Sequence, residues 1–289
     1  RTRGLLVLES PKGRIAVKIF ISTDMEGIEG ISSWNEMTTK EAWCASLLKQ
    51  ELTYVISTLL QHADIEEICI CDSHSRGENL LYGSFGDERI THVKGYPRHN
   101  YMMEGLDESF DAVFLLGYHA SIGSLNGGMD HSYSSSCIYR VRINGREVGE
   151  VEINAYYAGL FNVPIALISG DDILESQMKG FLKVPYVRTK EGMGRYAAKM
   201  YSPERVKQAF ESQVLAFLKQ KEFEVKRLDG EVTLEVDLAT TVIADAVAIV
   251  PGIKRLDGRT VQYTSSNYSD IFHMILTIAM LGGKFAQYT

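Results

Sequence analysis

Asp24 and Glu26 stand two residues apart in the run Ser22-Thr23-Asp24-Met25-Glu26-Gly27, directly after the apolar segment Val17-Lys18-Ile19-Phe20-Ile21. Residues two apart at the end of an extended segment point to one side. Two carboxylates held that way repel unless a proton or a cation neutralises them. The pattern recurs in Asp72-Ser73-His74, Gly117-Tyr118-His119 and Val148-Gly149-Glu150. A rim of carboxylates and imidazoles is a ligand set for divalent metals, zinc above all.

The elements that must deliver these side chains alternate strand and helix. Residues 17–21 read as a strand. Leu48, Leu52, Val55, Ile56 and Leu59 recur at helical spacing, behind a Thr-x-x-Glu capping box at Thr38 and Glu41. Residues 67–71 form the next strand and lead into Asp72 and His74, so a β-α-β unit with parallel strands and a right-handed crossover is expected. Residues 83–95 read as loop with at most short strands, and 102–110 as a short helix. The continuous apolar runs 112–116 and 163–168 are expected strands buried on both faces. Between them lies a hairpin over 138–149 with Asn144-Gly145 at its turn, and Glu150 opens a helix to Phe161. In open α/β sheets, sites form at the carboxyl ends of strands; Asp24, Glu26, His74 and His119 fall there, with Glu150 nearby.

The last third has another rhythm: helix 203–219, strand 232–236, helix 239–246, strand 260–263 and an apolar helix over 268–281. The fold expected is α/β: a three-layer α/β/α domain with a mostly parallel sheet over 15–190, which binds the metal and carries catalysis. A smaller α+β unit over 191–289 serves packing and oligomerisation. The apolar helix shows Ile271, Phe272, Ile275, Ile278 and Met280 on more faces than a surface helix needs, so its own unit or a neighbouring subunit must cover it.

Composition narrows the function. A net charge of −7 over 289 residues argues against a nucleic-acid binder. No run approaches the roughly 20 apolar residues of a membrane span. Leu5-Leu6-Val7-Leu8 follows two arginines but is too short for a signal peptide. With no opening methionine, the residues before about Ile15 are expected to be a leader or remnant. The four cysteines make no CxxC pair and read as buried, reduced thiols, consistent with a cytoplasmic protein.

The seven histidines differ in setting. His62 lies at a helix end, where imidazolium suits the dipole. His92 and His99 sit in polar loop sequence, and His273 in an apolar helix, where a satisfied core or interface histidine is expected. His74, His119 and His131 lie near strand ends or in a Gly-rich turn. Each alone would be a structural hydrogen-bonder; beside Asp24 and Glu26, His74 and His119 read as metal ligands. There is no GxSxG elbow, HExxH helix or Walker loop. The serines around His131 make a polar loop. Asp171-Asp172 reads as a helix N-cap rather than a second metal site.

Taken in order, Ser-x-Asp-x-Glu-Gly at 22–27, Asp72-Ser73-His74-Ser75, Glu104-Gly105-Leu106-Asp107, Gly117-Tyr118-His119-Ala120, His131-Ser132, Val148-Gly149-Glu150 and Gly170-Asp171-Asp172 resemble the zinc-dependent D-aminopeptidases, also known as dipeptide transport proteins. The resemblance runs from about Val17 to the C-terminus and includes Thr260-Val261-Gln262. It implies two zinc ions per subunit held by Asp24, Glu26, His74, His119 and Glu150, with Asp24 bridging and His131 catalytic. It also implies a short peptide substrate and a large ring-like homo-oligomer, a decamer, with sites facing an internal channel. The loops at 76–79 and 121–130 depart from the pattern and put substrate preference in question. Asp72 stands as an outer partner orienting an imidazole.

The expected function is therefore a dinuclear zinc aminopeptidase removing an N-terminal residue, a D-amino acid, from short peptides. The rivals are another dinuclear metallohydrolase such as a phosphoesterase, disfavoured because no Arg/Lys cluster accompanies the metal motifs, and a non-catalytic peptide-binding protein tied to uptake. A binder would need neither an activated water nor His131.

Overall fold

A computed structural model describes residues 16–288; the leader expected before about Ile15 lies outside the described residues. The first half runs β1 (Val17–Thr23), α1 (Trp34–Thr39), α2 (Glu41–His62), β2 (Ile65–Asp72), β3 (Ile90–Val93), β4 (Ala112–Leu116), β5 (Ile138–Ile143) and β6 (Arg146–Glu147). Then follow α3 (Glu150–Leu160), β7 (Ile165–Asp171), α4 (Asp172–Met178), β8 (Tyr186–Gly194), β9 (Ala197–Met200) and α5 (Pro203–Lys219). The chain closes with β10 (Val232–Leu238), α6 (Thr241–Val247), β11 (Lys254–Arg255), β12 (Thr260–Ser265) and α7 (Tyr268–Phe285).

The main sheet has the order β3-β2-β1-β4-β7-β8-β9. Every neighbouring pair is parallel except β8 with β9. Alternation along the central strands sends Ile19, Ile21 and Phe114 to one face, where they pack with α2 and α5. Phe20, Val113 and Leu115 go to the other face and pack with α3 and the elements beyond it. Both faces are covered, which is why β4 is apolar throughout and β1 is apolar without a break over Ile19-Phe20-Ile21. The protein is of the α/β class, as expected from its sequence.

A second, antiparallel sheet has the order β11-β12-β10-β5-β6. Its central pairing joins β10 to β5, so this sheet draws strands from both sides of residue 190. α7 packs against it with Ile271, Phe272, Ile275 and Ile278 buried. Most of the apolar surface of α7 is thus covered within the chain, and Met280 is its exposed exception.

Some local expectations fail for physical reasons. Thr38 and Thr39 do not cap α2: they end α1, and both hydroxyls turn back to the Asn35 carbonyl. Ser33 caps α1 instead, accepting from the Glu36 amide. The helix expected over 102–110 is only a single 3-10 turn at Tyr101–Met103, because Gly105 at φ +92° carries the chain out of it. β8 and the β9 that pairs with it carry no signal in the sequence, since the stretch Arg188-Thr189-Lys190-Glu191-Gly192 has no apolar period.

Candidate metal centre

The ends of β1 and β4 meet closely. The Asp24 amide donates to the Leu116 carbonyl at 2.8 Å, and Gly27 N to Gly117 O at 2.7 Å. A Cβ on Gly27 would lie 1.9 Å from the Tyr118 carbonyl oxygen, so the motif requires glycine there. Beneath the loops, Ser22 Oγ contacts Ser73 Oγ at 2.9 Å and Tyr118 Oη at 2.7 Å. Asn154 of α3 donates to the same Tyr118 oxygen at 3.0 Å and accepts from Tyr133 Oη at 2.9 Å. This buried network ties three strand ends to the helix that begins with Glu150.

The loop after β1 is also held from the β8 side. Lys190 is 1% exposed, and its ammonium donates to the carbonyls of Glu26, Ile28 and Ile31 at 2.5, 3.0 and 2.6 Å. Burial pushes the ammonium down to about 8, against the pull of nearby carboxylates.

On this platform the six sequence-chosen residues come together as two triads, Asp24–Glu26–His74 and His119–His131–Glu150, in each of which one ligand-type atom per residue lies within 4.8 Å of the others. His74 Nδ1 lies 3.2 Å from Asp24 Oδ1 and 3.1 Å from Glu26 Oε2. His119 Nε2 lies 3.3 Å from Asp24 Oδ2 and 3.5 Å from Glu150 Oε1. Asp24 therefore reaches into both triads, one oxygen to each. A cavity of about 360 Å³ opens over them.

Protonation explains why these groups fit cations. His119 Nδ1 faces the Ala120 carbonyl at 2.9 Å and His131 Nδ1 the Met129 carbonyl at 3.0 Å. A carbonyl only accepts, so each Nδ1 carries a proton and donates it, which leaves Nε2 of the neutral ring with a lone pair. His119 Nε2 and Asp24 Oδ2 are both buried without a hydrogen bond although they face each other. Two lone pairs set together in a dry site are repulsive unless a positive centre lies between them. Divalent zinc, with its preference for imidazole and carboxylate, fits this donor set.

Without a cation, protons must do the neutralising. Burial and the neighbouring Glu26 raise the Asp24 carboxyl above its ordinary value. Burial also disfavours charge on Glu26, but His74 outweighs it and holds that carboxyl well below the usual range. Glu150 is lowered likewise, with His119 outweighing burial. Conversely, burial opposes charge on His74 and His119, yet Glu26 and Glu150 respectively drive both imidazoles well above their usual value.

The remaining expectations sort plainly. Asp72 does not orient an imidazole: its oxygens accept from Asn79 Nδ2 at 2.7 Å and Leu80 N at 2.8 Å, which pins the loop beyond His74. Asp171 is the N-cap of α4, accepting from Leu174 N. His62 ends α2. His273 is satisfied by Asn100 Oδ1 at 3.0 Å, and its ring lies tilted at 46° to that of exposed His99, centres 4.3 Å apart. His92 is not solvated as expected; it lies in β3, half-buried, with Nε2 buried and unbonded. All four cysteines are buried and free.

Trp34 was missed. Its indole Nε1 donates to Glu26 Oε1 at 2.6 Å, and its ring meets His131 edge-on. A tryptophan eight residues after a carboxylate carries no motif that would have revealed this.

The D-aminopeptidase family model, peptidase family M55, matches residues 17–277. A D-aminopeptidase of Bacillus subtilis (strain 168) is 29% identical over 275 residues, covering 92% of this chain and 97% of that protein. Among solved structures, the Zn-dependent D-aminopeptidase DppA from Bacillus subtilis, described as a self-compartmentalizing protease, superposes with a TM-score of 0.87 at 25% identity, over 93% of this chain and 98% of that one. With the match running from the first strand into the last helix, the chain belongs to the D-aminopeptidase family.

Proposed function

We propose that this protein is a zinc aminopeptidase holding two ions per subunit and removing an N-terminal D-amino acid from short peptides. The observation that carries the reading is the buried His119 Nε2, which has no hydrogen-bond partner although it lies 3.3 Å from Asp24 Oδ2 and 3.5 Å from Glu150 Oε1. Asp24, Glu26 and His74 would hold one ion, and His119 and Glu150 the other, with Asp24 shared. Bound zinc supplies a Lewis acid that polarises a carbonyl and acidifies water toward about pH 7. The chain's own residues do the rest. Trp34 fixes one Glu26 oxygen, and the Tyr133 amide fixes Glu150 Oε1 at 2.6 Å. His131 presents a free Nε2 lone pair 3.8 Å from Glu150; it accepts a proton and passes it to the leaving amine.

Hand selectivity must come from the walls, because neither a carbonyl nor an acid–base pair distinguishes D from L. The test compares D-Ala and L-Ala at the N-terminus of one short peptide on zinc-loaded protein, with a phosphomonoester as control. Faster turnover of the D-peptide is expected. Equal rates or an L preference sink the D-specific reading alone; turnover of the phosphoester in place of either peptide sinks the aminopeptidase.

We also propose a large homo-oligomer, a decamer, working in the cytoplasm, with the second sheet and α7 serving its packing. The relative's self-compartmentalizing description supports this. No helix among the described residues is long and apolar enough to cross a membrane. Light scattering that finds a stable, active monomer would end the assembly proposal.

A further inference from the structure

Beside the metal centre lies a second cavity of about 500 Å³. The two adjoin: Ser75, Tyr101, Tyr133 and Ser134 line both. Their charges are opposite. Three carboxylates, Asp24, Glu26 and Glu150, line the first, whereas the second is lined by Arg76 and Arg98 and by no carboxylate. Its far wall is the face of α7 at Leu276, Ala279 and Met280.

The two arginines are set differently. Arg98 is half-buried, with Nη2 donating to the Asp72 carbonyl at 2.8 Å. Its guanidinium lies 6.0 Å from the centre of the Tyr101 ring. Its charge is thus fixed at the carbonyl of Asp72, the residue two before His74 in the chain, and its Nε is buried with no partner. Arg76 is exposed. Among the described residues, neither has a carboxylate within ion-pair distance. In a protein with seven more acidic than basic side chains, two arginines lining one cleft without acidic partners are a feature that ordinary surface pairing does not account for.

Accepting the aminopeptidase reading on which this rests, we propose that the second cavity is the subsite for the C-terminal end of the substrate, with Arg76 and Arg98 receiving its free carboxylate. A short peptide is a zwitterion. Its ammonium belongs at the acidic cavity, and its carboxylate at the basic one, where guanidinium recognises it by charge-assisted hydrogen bonds. The α7 wall gives the intervening side chains an apolar surface. The cleft thereby selects free peptides of a few residues over longer or C-terminally blocked chains, a discrimination that channel access alone would not make.

The test separates binding from turnover. A peptide analogue with a reduced, uncleavable bond after its N-terminal D-Ala is made as the free acid and as the C-terminal amide, and both are titrated calorimetrically into zinc-loaded protein. The acid should bind at least about tenfold more tightly, the lower range for a hydrogen bond to a charged group. In Arg76→Gln, whose side chain holds no other part of the structure together, the acid-to-amide ratio should fall toward one; Arg76→Lys should restore part of it. A third analogue, amidated but bearing an Asp side chain, asks whether any carboxylate suffices. Equal binding of acid and amide, no binding of either, an unchanged ratio in Arg76→Gln, or an Asp-amide equal to the acid would each overturn the subsite. Turnover of the parent peptide is read separately. If it is absent while the acid preference persists, the aminopeptidase reading fails and the carboxylate subsite stands.

Discussion

Trp34 Nε1 and Glu26 Oε1 are joined by a hydrogen bond of 2.6 Å, so a side chain from the first helix sets the direction of a carboxylate at the end of the first strand. With one oxygen committed to the indole, the other is left to face His74. Groups that orient ligands in this way govern affinity without touching the ion. Trp34→Phe keeps the ring and removes the donor. Zinc affinity should fall by roughly 10–100-fold with the fold intact, measured by competition with a chelator; unchanged affinity would refute the orienting role.

Asp24 faces His74 with one oxygen and His119 with the other. Asp24→Ala should therefore deplete both ions together and leave Glu26 and Glu150 each without its neutralising cation. Elemental analysis checks this, and full metal content in the variant would remove Asp24 as the bridge.

His131 stacks on His119, with ring centres 4.1 Å apart and planes within 14°. As a proton carrier that is not a required ligand, it should tolerate His131→Ala with metal and fold retained while turnover drops about 10²–10⁴-fold. Near-normal turnover would take it out of the mechanism. Loss of one ion with the imidazole would instead make it a ligand, as its place in the second triad also allows.

Glu51 is fully buried in α2, and its Oε1 accepts from the Glu29 amide at 2.6 Å while Oε2 has no partner. Burial, with the adjacent Glu29 carboxyl, pushes it up to about 8 from 4.5. The folded protein thus keeps a proton that the unfolded chain gives up. Its contribution to stability is complete below about pH 4.5 and is lost as pH rises through about 8. Glu51→Gln, isosteric with the protonated acid, should raise the melting midpoint at pH 8 by at least about 2–4 °C, the shift of ~1 kcal/mol in a large domain. At pH 4.5 the gain should vanish; a pH-independent difference would contradict the buried-proton account.

The parts of the molecule that were legible in its sequence are those whose cause is local or periodic. β1, β2, β4 and β7 could be read because strands covered on both faces must be apolar throughout, and the ligand-type residues could be read because they follow those runs directly. Lys190 could not be. Its partners are three carbonyls from the far side of the sheet, and its neighbours in sequence are polar, so nothing nearby marks it as buried. Trp34, Tyr133 and Asn154 were hidden in the same way. Each matters through contacts with residues outside its own element, and such contacts leave no period in the chain. The apolar excess of α7 left two covers open, its own unit or a neighbouring subunit, and an antiparallel sheet of the same chain supplies most of that cover.

The strand order of the main sheet has a consequence for how the protein comes to exist. Asp24, His74, His119 and Glu150 are far apart along the chain and meet only once β1 lies between β2 and β4 and α3 has docked behind them. Parallel pairings of this kind form late, because each closes a long loop before any contact rewards it. A fragment that lacks any one of β1, β2, β4 and α3 cannot gather the four side chains. A nascent polypeptide therefore has no high-affinity place for zinc until its central strands are registered, and capture of the ions is an event of the finished fold, a natural proofreading point between synthesis and a working hydrolase.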